Sequence, residues 1–146
     1  MLALGCDHGG YPLMKTVKEY LDRNHIAYKD FGTDSEESVD YPVYAKKVAR
    51  AILSGECDKG ILVCGTGIGI TIAANRFPGI RAANCTDEYM ARFARLHNDA
   101  NILGLGARVL GPGAAEGIVE TFLNTEFSGV DRHQRRIHMI EEDVDR

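Results

Sequence analysis

The sequence predicts a three-layer, doubly wound α/β sandwich. Its core would be a five-stranded parallel sheet of the Rossmann-like or flavodoxin-like class, followed by a C-terminal helical tail. Three observations carry this reading. Short apolar runs alternate with helix-like stretches five times, the pattern of a parallel sheet with helices on both faces and right-handed crossovers. The length, 146 residues, suits a single core. No linker, repeat or low-complexity segment divides the chain, so residues 1–146 read as one domain.

Residues 2–6 are apolar and run into Asp7-His8-Gly9-Gly10, a strand ending in a turn. From Tyr11 to Asn24 the apolar positions Leu13, Met14, Val17, Tyr20 and Leu21 have helical spacing, and Pro12 suits the first turn. Residues 26–31 alternate weakly and read as a second strand, followed by a polar loop over 32–38. Asp40-Tyr41-Pro42 opens a second helix that runs to Leu53. Gly60 to Val63 then reads as a short buried strand leading to Cys64. Gly65-Thr66-Gly67-Ile68-Gly69 forms a glycine loop, and a helix starts at Ile70 and ends near Asn75. After the break Phe77-Pro78-Gly79, residues 80–85 form a fourth strand. A helix over 87–96 carries Tyr89, Met90, Phe93 and Leu96 on one side. His97 to Asn101 is a turn into the apolar strand 102–106, and a helix follows over 113–123. The last element is a basic, helix-like stretch over 132–142. The tail, residues 129–146, is extra to the sandwich. A short amphipathic tail on a small domain is expected to pack on another subunit, which predicts a homo-oligomer, dimer or tetramer.

A hydrophobic fraction of 45% with 26% charged residues describes a globular chain, not a disordered one. The net charge of -4 gives no general reason to expect nucleic acid as a partner. No apolar run approaches the roughly 18 residues of a membrane span. The N-terminus lacks the basic start of a signal peptide and reads directly as a strand. A cytoplasmic protein is expected. Cys6, Cys57, Cys64 and Cys85 include no C-x-x-C pair, so reduced thiols are expected and a metal site is not.

In an open α/β sheet, ligands sit outside the carboxyl ends of the strands. Those ends collect Asp7 and His8, then Cys64 with its glycine loop, then Thr86 and Asp87. Cys64 taken alone could be a small buried hydrophobe. Followed by a glycine loop and a helix start, it sits where a thiolate is favoured and a proton can be taken. The loop is not a Walker A motif, because no Lys-Ser/Thr follows the last glycine. Its glycines are spaced two and two, where the dinucleotide fingerprint needs two and three. A C-x5-R phosphatase loop would need arginine where Ile70 stands.

His97, beside Asn98 and Asp99, reads either as a helix-end histidine gaining from the dipole or as a general acid–base. Arg132 and Arg136 are four apart, so on a helix they share a face and could clamp a phosphate, unless the run is only a solvated tail. Arg108, just after the last strand, is a third phosphate candidate. Tyr41 either lines the cleft or packs beside Pro42. A thiol that can move a proton, an amide-rich loop for an oxyanion, a histidine and arginines for a phosphate suit proton transfer next to the carbonyl of a small phosphorylated molecule.

Gly5-Cys6-Asp7-His8-Gly9, Asp40-Tyr41-Pro42, Val63-Cys64-Gly65-Thr66-Gly67-Ile68-Gly69, His97-Asn98-Asp99-Ala100-Asn101 and the tail segment from Gly129 through Asp131-Arg132-His133 to Arg136 resemble the motifs of type B ribose-5-phosphate isomerase. The wider family includes galactose-6-phosphate isomerase subunits. The resemblance spans essentially the whole chain in the same order. It implies that Cys64 shuttles a proton between C1 and C2 while Thr66 and the amides of Gly65, Gly67, Ile68 and Gly69 steady a cis-enediolate. It implies that His97 assists ring opening, that Asp7 holds sugar hydroxyls and that Asn98 lines the site. Arg132 and Arg136, helped by His8 and Arg108, would bind phosphate. It further implies a site shared between two subunits, with no metal or organic cofactor. Some relatives use a glutamate base after the loop; the stretch from Ile70 to Asn75 contains no acid, so the cysteine version is implied. Val130-Asp131 replaces the Gly-Gly that many relatives carry before Arg-His. The substrate expected is ribose 5-phosphate and ribulose 5-phosphate. The alternatives are a six-carbon sugar phosphate such as allose or galactose 6-phosphate, or a non-catalytic nucleotide- or phosphate-binding module.

Overall fold

The structure is a computed structural model that describes residues 1–142. The last four residues of the predicted tail lie outside the described residues. Five strands, β1 (Leu2–Cys6), β2 (Tyr28–Asp30), β3 (Lys59–Cys64), β4 (Ala82–Asn84) and β5 (Ile102–Gly106), form one sheet. Every pairing is parallel, and the order is β2-β1-β3-β5-β4. The helices are α1 (Tyr11–Arg23), α2 (Tyr41–Leu53), α3 (Ile68–Ala74), α4 (Glu88–Leu96), α5 (Pro112–Asn124) and α6 (Asp131–Glu141). The predicted architecture is the observed one. The last two strands are exchanged relative to sequence order, so β5 is central and β4 is an edge.

The central strands are buried on both faces, which is why they read as continuous apolar runs. Their side chains divide by the period-two rule. Leu2, Leu4, Cys6, Ile61, Val63, Leu103 and Leu105 face the layer of α1, α4 and α5, closed by Phe122 and Met14. Ala3, Leu62, Cys64 and Ile102 face α2 and α3. Each large aliphatic residue fully buried here contributes about 1.5–3 kcal/mol. Gly5 and Gly60 let α2 close on the sheet, since a Cβ at either would stand 2.8 Å or 2.6 Å from Val48. Pro12, Pro42 and Pro112 all occupy the first turn of their helices, where their missing N–H is no loss.

The weakly patterned strands shrink in the structure. β2 and β4 keep only three residues each, because both are half-exposed edges with little apolar pairing to extend them. Helix α3 starts two residues before the predicted point, so Ile68 and Gly69 belong to its first turn. In α4 the buried residues are Ala91, Ala94 and Arg95. Tyr89 and Met90, on the more apolar side, are 70% and 41% exposed, so within one chain that side is left uncovered. Helix α6 buries His133 and Ile137 and accepts the Gly79 N–H on Glu141 at 3.0 Å, so one of its faces is docked on its own chain. Its other face keeps Met139 and Ile140 exposed. No described helix is long and apolar enough to cross a membrane.

Candidate active site

Parallel strands bring all five strand ends to one edge. There Asp7, His8, Cys64, the glycine loop and Arg108 come together. Cys64 closes β3 and is 5% exposed, with its side chain on the α2/α3 face. The Gly67 N–H points at its sulfur, 3.1 Å away. A thiolate accepts such a bond more strongly than a thiol. Gly67 must be glycine: its φ is 80°, and a Cβ would strike Asn84 Oδ1 and the Leu105 carbonyl carbon. The Ile68 N–H donates to Thr66 Oγ1 at 3.2 Å. The amides of Gly65, Thr66, Gly69 and Ile70 have no acceptor among the described residues. They remain available to an anion beside the sulfur.

The neighbours are held by specific contacts. Asp7 is buried, and its Oδ1 accepts the Gly10 N–H at 2.9 Å, which fixes the β1–α1 turn. Gly10 in turn presses its Cα against the Val63 carbonyl, a place that admits no side chain. His8 Nδ1 accepts the Val39 N–H at 3.1 Å, so the neutral ring carries its proton on Nε2, facing away from that bond. The Arg108 guanidinium lies over Gly65, with Nη1 3.3 Å from where a Cβ would stand. Tyr41 does more than pack beside Pro42. Its ring covers Gly69, whose Cβ would fall 2.8 Å from Tyr41 Cζ, and it stays 40% exposed. The exposed Ile68 flanks the loop.

His97, Asn98, Arg132 and Arg136 do not join this group within one chain. His97 caps the C-terminus of α4, just before β5 begins. Gly60, at the start of β3, pairs with Ile102, while Cys64 pairs with Gly106 at the far end. Four residues of strand, about 13 Å, separate the two levels. His97 stacks on His133 at 4.1 Å between ring centroids, with the rings 16° from parallel. Arg132 and Arg136 flank His133 on α6. Burial, then the charges of His97, Arg132 and Arg136, pushes the His133 imidazole below its ordinary value. This end is a second cluster, imidazole-rich and cationic, and it does not share a cleft with Cys64 inside a single chain.

Several structural contributors carry no local motif. Asn84 donates to the Thr66 carbonyl at 3.3 Å from the edge strand. Its Oδ1 and the hydroxyl of Thr71 are buried without a partner under the glycine loop. Arg81 and Arg95 hold the His97 turn from both sides. Arg81 reaches the turn from 17 and 18 residues away, and Arg95 from four and five residues away on the buried side of α4. The other three cysteines are free and insulated: burial, the largest cause in each, pushes Cys6 up to about 12 and Cys85 up to about 11 and raises Cys57.

Residues 2–140 match the family model described as Ribose/Galactose Isomerase. The chain is 47% identical over 139 residues to the protein named ribose-5-phosphate isomerase B of Escherichia coli, covering 95% of this chain and 93% of that one. It is 43% identical to D-erythrulose-4-phosphate isomerase of Pectobacterium atrosepticum, covering 88% of this chain and 85% of the relative. The crystal structure of a ribose 5-phosphate isomerase from Thermotoga maritima superposes with a TM-score of 0.95 at 56% identity, over 97% of both chains. With a match over residues 2–140, the same fold and this level of identity, the protein belongs to the ribose/galactose isomerase family, which includes type B ribose-5-phosphate isomerase.

Proposed function

We propose that this sugar-phosphate isomerase interconverts ribose 5-phosphate and ribulose 5-phosphate through a cis-enediolate, without metal or organic cofactor. The observation that carries the reading is the Cys64 sulfur set among amide N–H groups that have no other acceptor. Cys64 takes the proton from C2 of the open-chain aldose. The resulting charge on the carbonyl oxygen falls to the loop amides, with Thr66 beside them. The hydroxyl proton on O2 passes to O1 as the thiol returns the carbon-bound proton to C1, giving the ketose. Asp7 holds sugar hydroxyls through its second carboxylate oxygen. His8 and Arg108 approach the phosphate from the same chain.

The remaining groups come from a second copy. A two-fold axis perpendicular to edge strand β4 inverts the strand direction, so the His97 end of one chain meets the Cys64 end of the other. The β4 edge suits this pairing. It is flanked by the exposed Ile68 and Ile72 of α3 and by Tyr89 and Met90 of α4, and an apolar groove along it is lined by Ala83, Cys85, Phe93 and Asn98. In that arrangement His97 of the second copy opens the furanose ring, Asn98 lines the site, and Arg132 and Arg136 take the phosphate. The pairing makes the molecule a homodimer at least, and the oxyanion loop is then free of the phosphate.

The test is ketose formation from four-, five- and six-carbon aldose phosphates with a chelator present. The expected result is highest kcat/KM with ribose 5-phosphate, unaffected by chelation. Preference for a six-carbon sugar would move the assignment toward the galactose branch of the family. Preference for the four-carbon sugar would move it toward the Pectobacterium relative. Activity abolished by the chelator would remove the metal-free mechanism.

A further inference from the structure

We propose that Arg95 is a positioning residue for the His97 imidazole, a role that rests on the isomerase reading above. Arg95 lies in the last turn of α4 and is 6% exposed. A guanidinium is rarely buried unless its donors are engaged. Here Nη1 donates to Asp99 Oδ1 at 2.8 Å and to the Ala100 carbonyl at 2.7 Å, and Nε donates to the Thr125 carbonyl at 3.1 Å. The Phe122 ring lies 5.7 Å from its central carbon. One arginine therefore joins three segments: the end of α4, the turn before β5 and the end of α5.

The turn it holds is strained. Asp99 has φ 44°, in the left-handed region that a non-glycine residue seldom adopts. Arg81 grips the same turn from the β4 side. Its Nε donates to the Asn98 carbonyl at 3.0 Å, and its Nη2 donates to the Asp99 carbonyl at 2.9 Å. Such a conformation persists only where its surroundings over-determine it. Two guanidiniums converging on one aspartate residue do so. The residues immediately before it are His97 and Asn98.

The Thr125 contact adds the second half of the argument. Thr125 starts the connector from α5 to α6, and Ser128 N–H in that connector donates to the Leu96 carbonyl at 3.3 Å. The connector leads directly to Arg132, His133 and Arg136. Arg95 thus ties the turn that presents His97 to the segment that presents the phosphate arginines. The stack of His97 on His133 is the visible result. Once the arginines hold the phosphate, ring opening depends on where the imidazole stands relative to them, and small misplacements are expensive.

The test compares kcat on two substrates. Ribose 5-phosphate must be opened from its ring. A four-carbon aldose 4-phosphate cannot close a furanose, because the oxygen required is phosphorylated. Arg95→Met keeps the bulk and removes the donors. It is expected to lower the ratio of ring to acyclic turnover about tenfold. Arg95→Lys can reach Asp99 but cannot serve the Ala100 and Thr125 carbonyls as well, and is expected to recover part of that ratio. A merely structural role would depress both substrates alike. An unchanged ratio, or equal losses on both, overturns the proposal. Should Arg95→Met fail to fold, Asp99→Asn decides, since it removes only a half-exposed carboxylate. The ratio should then fall in the same direction, and an unchanged ratio again overturns the role. Wild-type protein that turns over neither sugar overturns the isomerase reading itself, and the positioning role with it.

Discussion

At the Cys64 end of the sheet, the backbone makes the site: free amides around a sulfur, glycines at close approaches and a turn locked by Asp7. At the His97 end, side chains make it: stacked imidazoles, two arginines on one helix, and two more guanidiniums holding the turn. The first end can stabilise charge that develops on a substrate oxygen. The second can hold charge already present on a phosphate and move protons at a ring oxygen. Neither does both. Under the proposed pairing, the difference teaches that one chain carries two unlike halves of a site, each built with the material its chemistry needs.

Mutations should separate the halves, and the largest effect is expected at the sulfur. Cys64→Ala should lower kcat by about 10³-fold or more while sugar-phosphate binding, read by calorimetry, is retained. Retained turnover would leave the backbone end without its base. Next in size, Gly10→Ala should destabilise the fold by about 3 kcal/mol in urea titration, because the methyl meets the Val63 carbonyl. A neutral result would mean that the β1 turn can withdraw from β3. At the side-chain end, Arg136→Ala should raise KM roughly tenfold or more with kcat little changed, the cost of one charge-assisted phosphate contact. A kcat loss with unchanged KM would place the phosphate elsewhere.

The smallest effect concerns pH. His133 is held below its ordinary value in the folded chain, so the unfolded chain binds its proton first as pH falls. The stability contribution is complete above pH about 6.5 and is lost as pH falls from there through the lower folded-state value. Wild type should therefore lose more of its Tm between pH 7 and 5.5 than His133→Gln does. Identical pH profiles would show that α6 docks independently of this imidazole.

Much of the backbone-made end could be read from sequence, because glycine spacing and a strand-end cysteine are local signals. The five βα units were equally open to reading, since each rests on a run of apolar residues. What stayed hidden depends on distant chain. That β5 lies between β3 and β4 is not written in either strand, and it decides which edge is left open. The apolar side of α4 carries Tyr89 and Met90, yet its buried side carries Arg95, which no periodicity argument would place there. Arg95 becomes interpretable only when Thr125 is seen beside it, thirty residues away. The sequence also offered His97 and Cys64 as one constellation, and only the register between β3 and β5 shows them at opposite levels.

That opposition has a genetic consequence under the proposed pairing. A chain lacking Cys64 and a chain lacking His97 would each be inert alone, since every site in either homodimer misses one partner. In a mixed dimer both lesions fall in the same site, and the other site is whole. Random association makes half of all dimers mixed, each with one working site of two, so about a quarter of wild-type activity returns on mixing. Two null alleles of this gene would therefore complement each other when their lesions lie at opposite ends of the sheet, and fail to do so when they lie at the same end.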